Sequence, residues 1–323
     1  MPIQHLILGA GQVGPEIARQ LAAAGESVAI ATRSGRDPGI PGVTGVRVDA
    51  SDPAQVRDAA VGVPITYFAC QPAYTDWPKG FPPLVEGVLG GLRGTGTRLV
   101  VVDNLYAYGP TGGRPITEDL PLAATTRKGA VRARMATRFM EAHRAGDVPV
   151  AIGRASDFFG AGAVESSAGE RFFDPILASK TVRVIGDPDA LHSHTYLPDF
   201  AQALIELGRR DEALGEVWHV PTAEAVSVRR FAQLAAAAAG TTPKIARTSK
   251  PMVRLAGLFV PILREIPELW YEFAEPFVLD SSKIQRSFGL RPTPLEESVP
   301  ATVEWYRHRA ATAASSKSGD AAA

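Results

Sequence analysis

The sequence predicts an α/β protein with a doubly wound parallel sheet, and three observations carry that prediction. Apolar runs typical of strands alternate with helical periods from residue 5 to residue 153, as βαβ units require. The strand-like runs lack polar alternation, which indicates a sheet covered by helices on both faces. The first run leads through a glycine-rich turn directly into a helix.

The elements follow in order along the first half of the chain. Strands are predicted at residues 5–8, 27–32, 46–48, 65–70, 98–103 and 148–153. The first helix follows the glycine turn and ends at Gly25, and later helices are predicted at 52–60, 84–92 and 129–144. Beyond residue 154 the pattern loosens into a Gly-, Ala- and Ser-rich loop at 156–169, with helices at 198–207 and 228–239.

Composition narrows the classes of function. The chain has 323 residues, and its 34 basic and 34 acidic side chains give a formal net charge of zero, which argues against a nucleic-acid partner. The one cysteine cannot form an intramolecular disulfide, which is typical of a reducing compartment. No apolar run reaches the ~18–20 residues of a membrane span, and no signal peptide is evident. We therefore expect a soluble cytoplasmic protein with no membrane partner.

The segment ILGAGQVGPEIARQL places the pattern G-x-G-x-x-G between a strand and a helix. Gly9 allows the tight turn, Gly11 lets the backbone approach a pyrophosphate, and Gly14 permits close contact between helix and strand. Gln12 and Val13 lie at the start of the helix, whose N-terminus faces the anion. The pattern predicts a Rossmann-type dinucleotide-binding domain; the alternative is a glycine-rich turn without a ligand.

The end of the second strand, ATRSGR, indicates which dinucleotide binds. Arg33, Ser34 and Arg36 stand where a cofactor without a 2′-phosphate usually meets an acidic residue. Guanidinium groups suit a phosphate dianion, so NADP is favoured over NAD. The alternative for Arg36 is a solvated loop charge.

Three residues at the ends of neighbouring strands are also predicted to lie near the cofactor. Asp49 either accepts a hydrogen bond from the adenine amino group or caps the helix that begins near residue 52. Ala69 and Cys70 end the fourth strand, and we expect Cys70 to pack there rather than to act as a nucleophile.

Four further segments resemble the extended short-chain dehydrogenase/reductase family, of the NAD-dependent epimerase/dehydratase type. The stretch YAYGPTGGRPITEDLPL resembles the family's V-Y-G and T-E-D-x-P segments, and GRASDFFGAG resembles its R-P-x-x-x-Y-G-x-G. The run HTYLPDFAQAL is similar to its V-D-D-x-A helix start, and SFGLRPTPLEESV to its terminal L-G-x-x-P segment.

The resemblance implies a domain plan. The dinucleotide-binding domain would take residues 1–155 and returning segments at about 182–225, with a smaller, mostly C-terminal substrate-binding part at 156–181 and 226–309. Residues 310–323 are small and polar and predict a flexible tail. Family members commonly pair through two long helices, here 84–92 and 129–144, which implies a possible homodimer.

The catalytic pattern departs from the family's Y-x-x-x-K. Alignment from TEDLPL places KGAVR there, with Lys128 at the tyrosine position and Arg132 at the lysine position. The family's upstream serine is replaced by Asn104, four residues before Tyr108. The sequence therefore resembles an atypical branch of the family that lacks the catalytic tyrosine.

Hydride transfer to a carbonyl needs a proton donor or strong hydrogen bonds to the forming alkoxide. Tyr106 stands where the family's dehydratases carry a catalytic acidic residue, so we predict it as a substitute donor, with packing as the alternative. Lys128 is the second candidate donor, and Arg132 could hydrogen-bond the nicotinamide ribose. Asn104 can donate a hydrogen bond only. Alternatively, the five cations of TTRKGAVRARMATR form a solvated helix face.

These observations favour an NADP(H)-dependent oxidoreductase that acts on a small carbonyl compound or related metabolite. A catalytically silent NADP-binding sensor or interaction protein and a redox-neutral epimerase or lyase are the alternatives. His192 and His194 are expected to be structural or to contact substrate, because no further metal ligand follows at the required spacing. The apolar and aromatic stretch 250–277 either lines a substrate pocket or packs against the sheet.

Overall fold

The computed structural model describes residues 2–320, with side chains described for residues 2–312. The strands are β1 (His5–Leu8), β2 (Val28–Thr32), β3 (Val43–Arg47), β4 (Ile65–Phe68), β5 (Arg98–Asn104), β6 (Val150–Ala155), β7 (Asp157–Phe159), β8 (Val182–Ile185), β9 (Leu191–His192), β10 (His194–Tyr196), β11 (Val217–His219), β12 (Val226–Ser227) and β13 (Ile245–Thr248). The helices are α1 (Val13–Ala23), α2 (Pro53–Ala60), α3 (Trp77–Leu92), α4 (Arg127–Arg144), α5 (Glu170–Leu177), α6 (Leu197–Arg209), α7 (Val228–Ala239), α8 (Lys250–Ala256), α9 (Trp270–Ala274), α10 (Ser282–Phe288) and α11 (Leu295–Asp320).

Seven parallel strands form the central sheet, in the order β11-β6-β5-β4-β1-β2-β3. The chain first adds β2 and β3 on one side of β1, and then returns to place β4 on its other side. The strand order thus reverses between β1 and β4, and the carboxyl ends of these two strands flank the crevice in which such sheets bind ligands. The predicted α/β class and doubly wound sheet are confirmed.

Helices cover both faces of this sheet, as its unbroken apolar strands predict. On one face α2, α3 and α4 bury a core that contains Phe68, Phe81 and Phe139. On the other face α1 and α6 pack together over Ile17 and Leu204. Because apolar side chains are buried on both faces, a polar ligand site is expected at the carboxyl edge of the sheet.

A smaller lobe lies beyond the sheet and is built mostly from the C-terminal half. Helices α5, α7 and α11 enclose a second core around Phe173, Phe231 and Tyr306. Strand β8 pairs with β13 beside this core, so the start of the predicted returning segment 182–225 belongs with the lobe. The chain rejoins the main sheet through α6 and β11.

Several predicted boundaries shift in the structure. Helix α3 begins at Trp77 rather than at residue 84, because Pro78, Pro82 and Pro83 hide its helical period. The predicted loop 156–169 contains β7, which pairs with β10. Helix α11 gives residues 310–320 a helical backbone, while residues 321–323 of the predicted tail lie outside the described residues. No helix within residues 2–320 is long and apolar enough to cross a bilayer.

A buried carboxylate joins three elements at the carboxyl edge of the sheet. Asp103 on β5 faces Arg154 on β6 in the strand register, and its Oδ2 accepts from Arg154 Nε at 2.9 Å. Its Oδ1 lies 3.3 Å from Nη1 of Arg132 on α4. All three side chains are buried, so one carboxylate is shared by two guanidinium groups. We name this group the Asp103 triad.

Replacing Asp103 by asparagine should lower the free energy of unfolding by about 3–5 kcal/mol, because two buried guanidinium groups lose their counter-charge. Urea unfolding at neutral pH measures the change. The control is Asp189→Asn, which removes a carboxylate that pairs with Arg229 at the protein surface. An exposed pair contributes little to stability, so equal losses in the two variants would contradict the argument.

Candidate functional site

The glycine turn between β1 and α1 packs closely against neighbouring backbone atoms at two of its glycines and faces open space at the third. Gly9 has φ +110°, and a Cβ there would lie 2.6 Å from the carbonyl oxygen of Ala69. A Cβ on Gly14 would lie 2.3 Å from the carbonyl oxygen of Gly9. By contrast, a Cβ on Gly11 would meet no atom within 4 Å. The turn therefore packs tightly inward, and its backbone at Gly11 is open to a ligand.

The N-terminus of α1 is free to bind an anion. The helix begins at Val13, and its N-cap residue, Gln12, forms no capping hydrogen bond with its side chain. Instead, Gln12 Oε1 accepts from the backbone N–H of Glu165 at 2.8 Å, which ties the turn to the loop after β7. The uncapped N–H groups and the helix dipole together suit a pyrophosphate.

The end of β2 carries the predicted phosphate-binding side chains on the surface. Arg33, Ser34 and Arg36 lie in the loop that follows the strand, and none of the three is buried. The structure adds Arg47 at the end of β3, whose Cβ lies 2.8 Å from the place a Cβ on Gly35 would take. Sequence reasoning missed Arg47, although an arginine that ends the neighbouring strand was a usable signal.

Asp49 follows β3 and does not cap α2. Its Oδ1 accepts from the backbone N–H of Ser51 at 3.0 Å and from the Ser51 hydroxyl at 2.7 Å. These bonds, followed by the charge of Arg33, hold the pKa of Asp49 below its usual value. The N-cap of α2 is Asp52, which accepts from Ala54 and Gln55. The capping alternative for Asp49 is therefore wrong.

Ala69 and Cys70 follow β4, and the backbone of both lies close to Gly9. The Cys70 thiol donates to the carbonyl oxygen of Leu8 at 3.2 Å. Burial raises the pKa of Cys70 to about 12, so the thiolate needed for nucleophilic attack is absent near neutral pH. The structure agrees with the expectation that Cys70 packs rather than reacts.

Asn104 and Tyr106 lie at the end of β5 and in the 3₁₀ turn that follows it. Asn104 Oδ1 accepts from the backbone N–H of Tyr106 at 3.1 Å, which holds the turn and leaves only the amide nitrogen of Asn104 to bind a ligand. The hydroxyl groups of Tyr106 and Tyr74 are hydrogen-bonded. Burial, and then the charge of Glu272, raise the pKa of Tyr106 well above its usual value. Tyr106 is therefore protonated and a weak acid.

Glu272 is the main residue that sequence reasoning missed. It lies on α9 with 1% of its surface exposed, and its Oε2 has no hydrogen-bond partner among the described residues. Burial, and then the charge of Asp157, raise its pKa well above the usual value. In the sequence it is only a glutamate among the aromatic residues of WYEFA, and no spacing links it to the sheet edge.

Glu272, Tyr271 and Asp157 interact and form a polar site in which some buried atoms lack partners. Asp157 begins β7, and its Oδ2 lies 3.2 Å from Nε2 of His192. Within the part of the chain that the structure describes, the buried hydroxyl of Tyr271 bonds to nothing, and the same holds for the Oγ of Ser156, which precedes Asp157 in the chain. Unsatisfied polar atoms of this kind are rare in a folded interior and indicate a place for a ligand or water.

Lys128 and Arg132 are buried, so the interpretation of this helix as a solvated cationic face is wrong for both. The Lys128 ammonium pairs with Glu265 and, at 3.3 Å, with Glu268. Arg132 belongs to the Asp103 triad, and its Nη2 also donates to Gln71 Oε1 at 3.4 Å. Lys128 as proton donor stays a prediction, and its ammonium is already bound by two carboxylates.

His192 and His194 lie side by side on β9 and β10, with ring centroids 5.0 Å apart. Burial lowers the pKa of His194 to about 3, and its ring stacks on Phe231 at 4.1 Å. His194 is therefore a neutral packing residue, while His192 contacts Asp157 at the polar site.

Comparison with known proteins gives one partial family match and several structures of similar fold. Residues 86–220 match the model of the NAD dependent epimerase/dehydratase family. No curated protein matches the chain. Solved structures do match it over nearly its full length, with low identity.

The chain is similar to the epimerase Mth375 of Methanothermobacter thermautotrophicus, with a TM-score of 0.79 and 17% identity over 95% of this chain and 93% of that one. It is similar to a double mutant of DesIV, a dTDP-glucose 4,6-dehydratase from Streptomyces venezuelae with NAD bound, with a TM-score of 0.77 and 19% identity over 94% and 97%. It is also similar to the UDP-glucose 4-epimerase of Thermus thermophilus in complex with NAD, with a TM-score of 0.72 and 20% identity over 94% and 98%. Residues 86–220 thus match the NAD dependent epimerase/dehydratase model, and the chain has the fold of the epimerase and dehydratase structures that it matches.

Proposed function

We propose that the protein is an NADP(H)-dependent oxidoreductase that acts on a small carbonyl compound. The observation that carries the proposal is the polar site, where Tyr271 and Glu272 keep buried polar atoms without partners among the described residues. A lobe that served packing alone would place apolar side chains there, since each unmade buried hydrogen bond costs free energy. A ligand with its own polar atoms removes that cost.

The residues around the glycine turn fit a dinucleotide. The open backbone at Gly11 and the uncapped N-terminus of α1, with Gln12 and Val13, would hold the pyrophosphate between them. Asp49 would accept from the adenine amino group. The guanidinium groups of Arg33, Arg36 and Arg47, with the hydroxyl of Ser34, would bind the 2′-phosphate of NADP. When bound, the cofactor supplies a hydride to the carbonyl carbon.

We assign proton donation to Glu272 rather than to Tyr106. Burial raises the pKa of both groups. A carboxyl group starts from a much lower pKa than a phenol, so a raised pKa moves Glu272 toward neutral pH and moves Tyr106 away from it. The carboxyl proton passes to the carbonyl oxygen to form the alcohol, and the carboxylate then takes a proton from water.

Tyr106 and Asn104 position this reaction. The hydrogen bond between Tyr106 and Tyr74 fixes the phenol beside Glu272, and the Asn104 amide can donate to the oxygen that becomes negative in the transition state. Arg132 stays in the Asp103 triad and can offer its Nε, which has no partner among the described residues, to the nicotinamide ribose.

A redox-neutral epimerase or lyase is the second candidate. It is supported by the matched structures, which are named as epimerases and as a 4,6-dehydratase and in two cases hold NAD. In such a reaction Glu272 would return the proton that it removes from the same substrate. Net consumption of NADPH separates the two candidates.

The purified protein should oxidise NADPH in the presence of at least one member of a panel of small aldehydes and ketones. Glu272→Gln should lower this rate by about 10²–10⁴-fold, because an amide cannot transfer the proton. Tyr106→Phe should lower it less, and Glu275→Gln, an exposed neighbour, should leave it unchanged. Products formed with only catalytic amounts of cofactor would favour the redox-neutral candidate. Cofactor binding without any product would indicate the silent binding protein.

Arg33→Ser should weaken NADPH binding by roughly tenfold or more and leave NADH binding nearly unchanged, because only NADPH carries the phosphate that the guanidinium binds. Isothermal titration calorimetry with both cofactors measures the difference. Arg134→Ser removes an exposed arginine from α4 and should alter neither affinity. Equal losses for both cofactors would contradict a phosphate-binding role.

Glu272 should also change how the free energy of unfolding depends on pH when no cofactor is bound. Its pKa is raised in the folded state, so the folded protein holds a proton that the unfolded chain releases. This contribution is complete below the unfolded pKa of about 4.3 and is lost as pH rises toward the folded pKa, by about 1.4 kcal/mol per pH unit. Urea unfolding across that range should give a flatter profile for Glu272→Gln. Parallel profiles of the wild-type protein and Glu272→Gln would show that Glu272 is ionised in the folded protein over this pH range.

A further inference from the structure

The largest exposed apolar side chains cluster in one short segment after β13. Met252 and Leu255 lie on α8, Leu258, Phe259 and Val260 lie in the turn that follows it, and Ile262 lies in the next 3₁₀ turn. Phe259 exposes 83% of its surface, and Leu255 and Leu258 expose 64% each. We name these six residues the apolar patch. A contiguous patch of this kind marks an interaction surface in a folded protein.

The apolar patch is held in a defined shape. Val253 and Gly257 are buried on the inner side of the segment. On the outer side, Arg264 folds back and donates from Nε to the carbonyl oxygen of Gly257 at 2.5 Å and from Nη2 to that of Leu258 at 2.9 Å. These bonds fix the turn, so Phe259 stands out from an ordered backbone.

Cations surround the apolar patch and acids are absent from its sequence. The chain has a net charge of zero, yet it carries no aspartate or glutamate between Glu224 and Glu265. Lys250, Arg254 and Arg264 lie within or beside the apolar patch, and Arg264 bonds to backbone carbonyls rather than to a carboxylate. Exposed apolar side chains with lysine and arginine around them are the pattern by which proteins bind the surface of an anionic bilayer.

The charge argues against a second copy of the chain on this surface. A symmetric dimer through the apolar patch would bring Lys250, Arg254 and Arg264 close to the same cations of the partner. Like charges that meet in an interface are unfavourable. A surface of negative phosphates has the opposite effect, since it attracts the cations while its acyl chains receive the apolar side chains.

We propose that the apolar patch docks the protein on the surface of an anionic phospholipid bilayer, with Leu258 and Phe259 in the acyl boundary and the flanking cations against lipid phosphates. The chain remains outside the bilayer core, as expected from the lack of a spanning helix among residues 2–320. The proposal is opposed to the sequence-based expectation of no membrane partner. The proposal does not depend on the oxidoreductase reaction.

Sedimentation with lipid vesicles tests the proposal. The full chain should sediment with vesicles of phosphatidylcholine containing phosphatidylglycerol and much less with pure phosphatidylcholine, and high salt should weaken the binding. Phe259→Ser and Leu258→Ser should each lower the partition onto mixed vesicles by roughly tenfold. The matched control is Val61→Ser, which changes a 65% exposed valine outside the apolar patch and should have no effect.

Charge reversal and oligomeric state complete the test. Arg254→Glu should reduce binding to mixed vesicles and leave the weak binding to pure phosphatidylcholine unchanged. Unaltered thermal unfolding of each variant shows that the fold is intact. Failure of the wild-type chain to bind mixed vesicles, or equal effects of Phe259→Ser and Val61→Ser, would overturn the proposal. So would a dimer in sedimentation velocity that Phe259→Ser dissociates, because a second copy would then cover the apolar patch.

Discussion

The carboxylate of Asp103 is the interaction on which the arrangement of this sheet edge depends. It is buried between Arg132 and Arg154, and it thereby ties β5, β6 and α4 together where the sheet ends. Each guanidinium also stacks on aromatic rings, Arg132 over Trp77 and Arg154 over Tyr108, so the charges are held by cation–π contacts as well. Two arginines around one carboxylate give this buried group a net positive charge.

The first half of the fold could be predicted because each of its elements is specified by a short, continuous stretch of sequence. The strands, the glycine turn and the start of α1 lie within short stretches whose periodicity and spacing are visible in the sequence. The polar site could not be predicted in the same way. Glu272 meets Tyr106 and Asp157 across more than a hundred residues of chain, and it does so through an irregular segment of short helices and turns. No periodicity links such residues, so only tertiary packing brings them together.

Lys128 has a structural role that the sequence did not indicate. The alignment predicts it at the catalytic tyrosine position, and the structure buries it beside the rings of Tyr74 and Trp77. Its ammonium binds Glu265 and Glu268 from the C-terminal segment, so α4 now anchors the segment that carries Glu272. The lysine thus holds the segment that carries the buried Glu272 against α4.

The segment that carries Glu272 also carries the apolar patch, and its two sides differ in charge. Its carboxylates turn inward, where Glu265 and Glu268 bind Lys128 and Glu272 enters the site. Its cations and largest apolar side chains turn outward over residues 250–264. An ion pair with a buried lysine keeps its strength in a low-dielectric interior, whereas an exposed lysine or arginine is screened unless a dense anionic surface faces it. The acidic side chains of this segment thus attach it to Lys128 on the inside. Its basic side chains form an outer face suited to lipid phosphates.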